Sequence, residues 1–287
     1  MRKGSASKTA EGVALLRAIE ATRPPEKRLV YDPYARSMVR GFHLFFSKIW
    51  IDLGLYDLSW RGAYQYVIAR ERYIDDMLKA ALADGFRQIA ILGAGFDMRA
   101  FRIEGIEEAV VFEIDHPATQ AAKRERLRKF QVRNNIKFVP IDFNTQTLEE
   151  RLTDSGFDDR EKTLFIWQGV TMYLTEQGVE STLRYITEHS PAGSQVVFDY
   201  FTTELMERST TIQWTKLLLK LLGESLDFSI EDGYLETFLS KRGFNQIVNA
   251  NSEKLTQLYY AGTGQSVARG IAIGSGTVSG PARLENV

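Results

Sequence analysis

Two glycines and an acid carry the chemistry most visible in this chain: Gly93, Gly95 and Asp115, within RQIAILGAGFDMRAFRIEGIEEAVVFEID. A short apolar run over 89–92 enters the turn Gly93-Ala94-Gly95, and a second apolar run over 109–114 ends on Asp115. Glycine has no Cβ, so the backbone can turn sharply there and a ligand can come close to its N–H groups. An acid at the tip of the next parallel strand can accept both hydroxyls of a ribose. Strand, glycine turn, helix, strand and acid describe a pocket for an adenosine-containing molecule.

The turn itself discriminates between cofactors. A nicotinamide site continues as G-x-G-x-x-G, with the pyrophosphate at the helix N-terminus. Here Met98 stands where the third glycine would be, and Asp97 puts a negative charge where a pyrophosphate would sit. An anion at that place suits a cationic ligand. S-adenosylmethionine qualifies, because it carries a sulfonium and an α-ammonium and no phosphate. The competing role for Asp97 is that of an N-cap on the following helix.

These residues need elements to hold them. From residue 88 onward the pattern alternates, with strands expected at 88–92, 109–114, 136–141, 162–167, 194–200 and 244–249. Helices are expected at 97–102, 117–133, 146–153, 175–189, 203–222 and 231–241. Such alternation implies an α/β fold, a mainly parallel sheet covered on both faces. The glycine-rich stretch 262–280 could add a final strand pair and a loose tail. Residues 1–85 show no strand. Helical spacing runs over 8–21 until Pro24-Pro25, Asp32-Pro33 opens a further segment with Asp32 as N-cap, and a long helix is expected over 63–82.

The chain has 287 residues, 44% of them hydrophobic, enough for one large or two small domains. With 36 basic and 37 acidic residues its net charge is −1, which points away from nucleic acid as a main partner. The basic run KRERLRK (123–129) reads as a solvated helix face. There is no cysteine, hence no disulfide, thiolate ligand or cysteine nucleophile. His43, His116 and His189 are scattered, with no H-E-x-x-H, so no metal site is expected, and there is no G-x-S-x-G elbow. The start MRKGSASKTAEG lacks a signal-peptide apolar stretch, and 42–56 is too short and too interrupted to span a bilayer. A cytoplasmic protein without membrane association is the expectation.

ILGAGFDMRAFR, VFEIDHPATQ, PIDFN and FIWQGVTMYLT, with the front segment LLRAIEATRPPEKRLVYDPYAR, resemble the leucine carboxyl methyltransferase superfamily, and most closely its bacterial branch of small-molecule O-methyltransferases. The resemblance runs from Thr9 to Ser240. It implies a class I methyltransferase (Rossmann-like) fold with a seven-stranded sheet, S-adenosyl-L-methionine as donor, and a helical N-terminal cap (1–85) on the substrate side of a core (86–287). It further implies that Gly93, Ala94 and Gly95 line the methionine part of the cofactor. Asp115 would hold the ribose hydroxyls; His116 follows it directly and could touch the ribose edge, with a capping or solvent role as the favoured alternative. Asp142 would accept from the adenine amino group, with Phe143 against the base. Arg70, in VIARERYIDD, would pair with the cofactor carboxylate, and Arg72 is its nearest competitor. Arg70 could otherwise be a surface charge beside Glu71 or Asp75.

Gln168 departs from the family, which usually has a glutamate facing the α-amino group. Glutamine offers only its amide oxygen as acceptor, so a glutamate restored there is expected to leave affinity unchanged or raise it. Tyr173 and Gln168 are the candidates nearest the reacting groups. The aromatics Phe42, Phe45, Phe46, Trp50, Tyr56 and Trp60 could form core or an apolar acceptor pocket.

The reaction expected from this resemblance is direct displacement, with an acceptor oxygen attacking the sulfonium methyl. A carboxylate is already ionised at pH 7 and needs no general base, whereas a phenol would want one. A small apolar or aromatic acid is therefore the favoured acceptor. The alternatives are phenolic or hydroxyl methylation, methylation of a protein C-terminus, a nicotinamide-dependent oxidoreductase on the same sheet, and a non-catalytic cofactor-binding relative. Oligomeric state is not legible.

Overall fold

The computed structural model describes residues 8–39, 61–142, 146–210, 212–214, 216 and 225–280. Helix α1 (Lys8–Glu20) is followed by 3-10 turns at Pro25–Lys27 and Ala35–Met38, then by α2 (Ala63–Ala83). From there strands and helices alternate: β1 (Gln88–Leu92), α3 (Arg99–Arg102), β2 (Val110–Asp115), α4 (Pro117–Leu127), β3 (Ile136–Pro140), α5 (Leu148–Asp154), β4 (Thr163–Trp167), α6 (Glu176–Glu188), β5 (Gln195–Phe201), α7 (Thr203–Arg208), α8 (Leu235–Ser240), β6 (Phe244–Ala250), α9 (Ser252–Tyr260) and β7 (Ile271–Val278).

The strands form one seven-stranded sheet in the order β3-β2-β1-β4-β5-β7-β6. β1 to β5 pair in parallel, and β7 runs antiparallel to both β5 and β6. The order reverses between β1 and β4, and the C-terminal edge there is where ligands bind in open α/β sheets. The central strands are buried on both faces, so their apolar runs are nearly continuous. Alternate side chains supply two cores. Ile89, Ile91, Leu164 and Ile166 pack with Ile74 and Leu78 of α2 and Leu255 of α9. Ala90, Leu92, Phe165 and Trp167 pack with Leu152 of α5, Val179 and Leu183 of α6, and Leu239 of α8.

Several sequence expectations are corrected. The 262–280 stretch holds one strand, not a pair, because β7 finds partners on both sides in β5 and β6. α4 stops at Leu127, six residues short of the 133 expected, and α9 lies where no helix was expected. Asp32 does not open a full helix. Its Oδ1 accepts from the N–H groups of Tyr34 and Ala35, and only a 3-10 turn follows. The aromatics Phe42, Phe45, Phe46, Trp50, Tyr56 and Trp60, together with His43 and Phe143, lie outside the described residues, as does part of the helix expected over 203–222. No helix among the described residues is long and apolar enough to cross a membrane.

Candidate cofactor site

The C-terminal ends of β1, β2 and β4 and the first turns of α1 enclose a cavity of about 390 Å³. Arg70, Gly93, Ala94, Gly95, Asp97, Asp115, His116, Asp142, Gln168 and Tyr173 all line it. Residues more than 100 positions apart are thus gathered by the sheet edge at the switch point.

Gly93 and Gly95 adopt positive φ (68° and 48°), the left-handed region that L side chains rarely enter. A Cβ at Gly93 would strike the Val170 side chain, and one at Gly95 would come to 3.0 Å from the Ala10 Cβ of α1. The turn does not present its N–H groups to a ligand as expected. Gly93 and Ala94 both donate to the Ile114 carbonyl (2.8 and 3.0 Å), and Gly95 donates to Asp115 Oδ2 (2.5 Å). An occupied set of donors is a poor phosphate cradle, which is a stronger objection to a dinucleotide than the missing third glycine.

Asp115 ends β2 with both oxygens engaged by backbone, Oδ1 accepting from the His116 N–H at 2.6 Å. A carboxylate oxygen has further lone pairs, so the group can still accept two hydroxyls. Burial pushes its carboxyl above the usual carboxylate range, and the N–H groups of Gly95 and His116 only partly oppose this. His116 uses Nδ1 to accept from the Ala118 N–H and so caps α4.

Asp97 lines the cavity, but its charge is matched inside the protein. Its Oδ1 accepts from the Arg99 N–H at 2.7 Å, and its Oδ2 pairs with the Arg99 guanidinium. Burial raises its pKa, yet Arg99 chiefly and Arg17 outweigh that and hold the carboxyl low. The N-cap of α3 is Met98, so Asp97 stands one residue before the cap position expected for it, and its bond to the Arg99 N–H closes a turn ahead of the helix. The negative charge expected to face a cation is compensated by arginine.

Arg70 and Arg72 separate cleanly. Arg72 is on the solvent side, pairing with Asp76 at 2.9 Å. Arg70 is 4% exposed, and its Nη1 meets Asp199 Oδ2 at 2.5 Å. Its Nε is buried and has no hydrogen-bond partner among the described residues. Gln168, also in the cavity lining, donates through Nε2 to Glu71 Oε1 at 2.6 Å, and its Oε1 is buried without a partner among the described residues. Both residues line the cavity, while these two polar atoms are themselves buried in its wall.

Sequence reasoning missed Asp199, Glu71 and the α1 wall. Asp199 Oδ1 accepts from the Gly169 N–H at 2.5 Å while Oδ2 holds Arg70 and the Tyr66 hydroxyl. Glu71 receives Arg99 Nη2 at 2.7 Å and Arg17 Nη1 at 3.2 Å. Thr9, Ala10, Val13 and Arg17 of α1 line the cavity. Their one visible signal was the helical spacing of the N-terminal segment.

A sheet of this order with a reversed β7, and a cavity at the β1/β4 switch point, define a class I methyltransferase fold. The chain belongs to the leucine carboxyl methyltransferase family, whose model matches residues 10–187. It is 30% identical over 200 residues to YktD of Bacillus subtilis, a candidate S-adenosyl-L-methionine-dependent methyltransferase, over 68% of this chain and 66% of that one. It is 32% identical over 202 residues to SCO7813 of Streptomyces coelicolor, described in the same way, over 70% and 71% of the two chains. The fold is shared with the structure of a candidate methyltransferase from Thermobifida fusca, with a TM-score of 0.60, 13% identity and 97% of each chain covered.

Proposed function

We propose that the protein transfers a methyl group from S-adenosylmethionine to a carboxylate oxygen of a small apolar or aromatic acid, giving a methyl ester. The observation that carries the cofactor assignment is the pair of unpartnered buried atoms, Arg70 Nε and Gln168 Oε1, on residues lining one cavity. Buried polar groups are nearly always satisfied. A free α-amino acid end is a ligand that satisfies one donor for its carboxylate and one acceptor for its ammonium.

In this reading Arg70 holds the cofactor carboxylate and Gln168 the ammonium. Gly93, Ala94 and Gly95 lie along the methionine chain. Asp115 takes the ribose hydroxyls, with His116 beside them and Asp97 behind the turn. Asp142 faces the adenine. When bound, the cofactor supplies an electrophilic methyl on a positively charged sulfur. The chain's own residues align the acceptor and keep water out, and orientation alone can remove several kcal/mol of a barrier. Val13, Val170 and Leu174 give the cavity an apolar wall suited to such an acid. In this reading Tyr173, which lines the cavity, touches the acceptor. We take residues 1–85 as the acceptor side and 86–287 as the donor-binding core.

Three acid-base groups of the cavity wall support the preference for a carboxylate. His116 Nδ1 is engaged in capping α4. Asp97 is paired with Arg99, and Asp115 is bound by backbone N–H groups. None of these three is set up as a general base, and a carboxylate needs none. The test is methyl transfer from labelled donor to a panel of aromatic acids and phenols. A product that releases methanol in mild alkali is an ester and supports the reading. Transfer to phenols alone, giving alkali-stable ethers, would overturn it.

A further inference from the structure

Glu71 is 1% exposed, sits outside the cavity lining, and is ringed by donors: Arg99 Nη2, Arg17 Nη1 and Gln168 Nε2. Burial opposes its charge, but Arg99 and then Arg17 more than compensate, so it stays ionised well below the usual carboxylate range. An ionised carboxylate only accepts hydrogen bonds. The end of the Gln168 amide that faces Glu71 must therefore be the NH₂, and the oxygen is forced to the opposite side. That oxygen is the buried, unpartnered atom of a cavity-lining residue.

We propose that Glu71 is a positioning residue for the cofactor's ammonium: it locks the Gln168 amide with Oε1, not the NH₂, toward the cavity. This rests on the cofactor reading above. With the amide flipped, an NH₂ would meet an ammonium, donor against donor, and the hydrogen bond would be lost. Glu71 also places a full negative charge directly behind the amide, where it polarises the oxygen toward a cation.

The consequence reverses the expectation drawn from sequence. A glutamate at 168 would set its carboxylate against Glu71, where Nε2 now lies 2.6 Å from Oε1. Two like charges at that range cannot both remain ionised and in place. Gln168→Glu should therefore weaken the site, and only exchange of both residues should restore it.

The experiment is calorimetric titration of the full chain with S-adenosylhomocysteine, which carries the same ammonium and carboxylate. Gln168→Glu is expected to bind on the order of tenfold more weakly than wild type, the effect of one lost charge-assisted hydrogen bond. The exchanged pair, Glu71→Gln with Gln168→Glu, is expected to recover most of that loss. Gln168→Glu binding as tightly as wild type, or more tightly, overturns the role of Glu71. Because Glu71 also anchors two arginines, the exchanged pair could fail to fold. Side-chain amide NMR on the wild-type protein tests the same point without substitution. One Gln168 amide proton should be shifted downfield and slow to exchange both before and after S-adenosylhomocysteine is added, while the amide carbonyl carbon responds to binding. Amide protons that lose protection on binding, beside an unmoved carbonyl, overturn the orientation. No binding by wild type overturns the cofactor reading as well. Wild-type binding with an unimpaired Gln168→Glu overturns this inference alone.

Discussion

Arg70 and Asp199, 129 residues apart, meet at 2.5 Å in a site where neither is more than 4% exposed. Asp199 also fixes the loop after β4 through the Gly169 N–H. One carboxylate therefore sets both the arginine and the backbone beside Gln168. Asp199→Asn keeps the shape and removes the charge, leaving a buried guanidinium uncompensated. Breaking a buried pair in this way destabilises by about 3–5 kcal/mol. Denaturant unfolding should show that loss, and titration with S-adenosylhomocysteine should show weakened binding. A variant as stable as wild type would mean that water replaces the lost charge, contrary to the burial found here.

Arg99 is fully buried and serves Asp97, Asp75 and Glu71 together. Arg99→Met should destabilise by at least about 3–5 kcal/mol, because several acids lose their main partner. The pH dependence has a definite sign. In wild type, Asp97 and Glu71 are held below their ordinary values, so their contribution is present above about pH 4 and lost as pH falls through the folded-state values. Without Arg99, burial pushes both acids upward and protonation relieves the variant. The stability gap between variant and wild type should therefore narrow as pH falls through those raised values. Unfolding curves between pH 4.5 and 8 check this, and a gap constant with pH would exclude the acids as its cause.

What was legible in the sequence was what local pattern encodes. Gly93, Gly95 and Asp115 were read directly because a turn and the next strand tip lie within one βαβ unit. Glu71 and Asp199 were not, because nothing local marks a carboxylate on a helix or strand as facing residues 97 or 129 positions away. Arg70 and Arg72 look equivalent by spacing, and only the rotation of α2 on the sheet buries one and exposes the other. α9 escaped notice because its apolar face is little more than Leu255 and Tyr260. The glycines of 262–280 suggested a hairpin, whereas Gly274 and Gly276 lie within β7 itself, pressed against Leu235 and Phe244.

Asp115 offers a pH test of the ribose role. Burial places its carboxyl above the ordinary range in the free protein. Ribose hydroxyls donate to the ionised form, so binding of S-adenosylhomocysteine should weaken as pH falls through that raised value. Asp115→Asn should lose affinity on the order of a hundredfold, for two hydrogen bonds to a charged group, and lose this pH dependence with it. A wild-type affinity that does not fall on acidification, or affinity that survives Asp115→Ala, would remove Asp115 from the site.

Gly93 couples the turn to the loop after β4 through Val170. Gly93→Ala forces a left-handed alanine, at about 1–2 kcal/mol, and drives its Cβ into the Val170 side chain. The two effects can be separated, because Val170→Ala removes the collision and leaves the backbone strain. The double variant should therefore recover part of the stability lost by Gly93→Ala, with the remainder close to the backbone term. Thermal unfolding of the two single variants and the double variant gives the coupling as a cycle. Full additivity would show that the turn and the β4 loop do not touch.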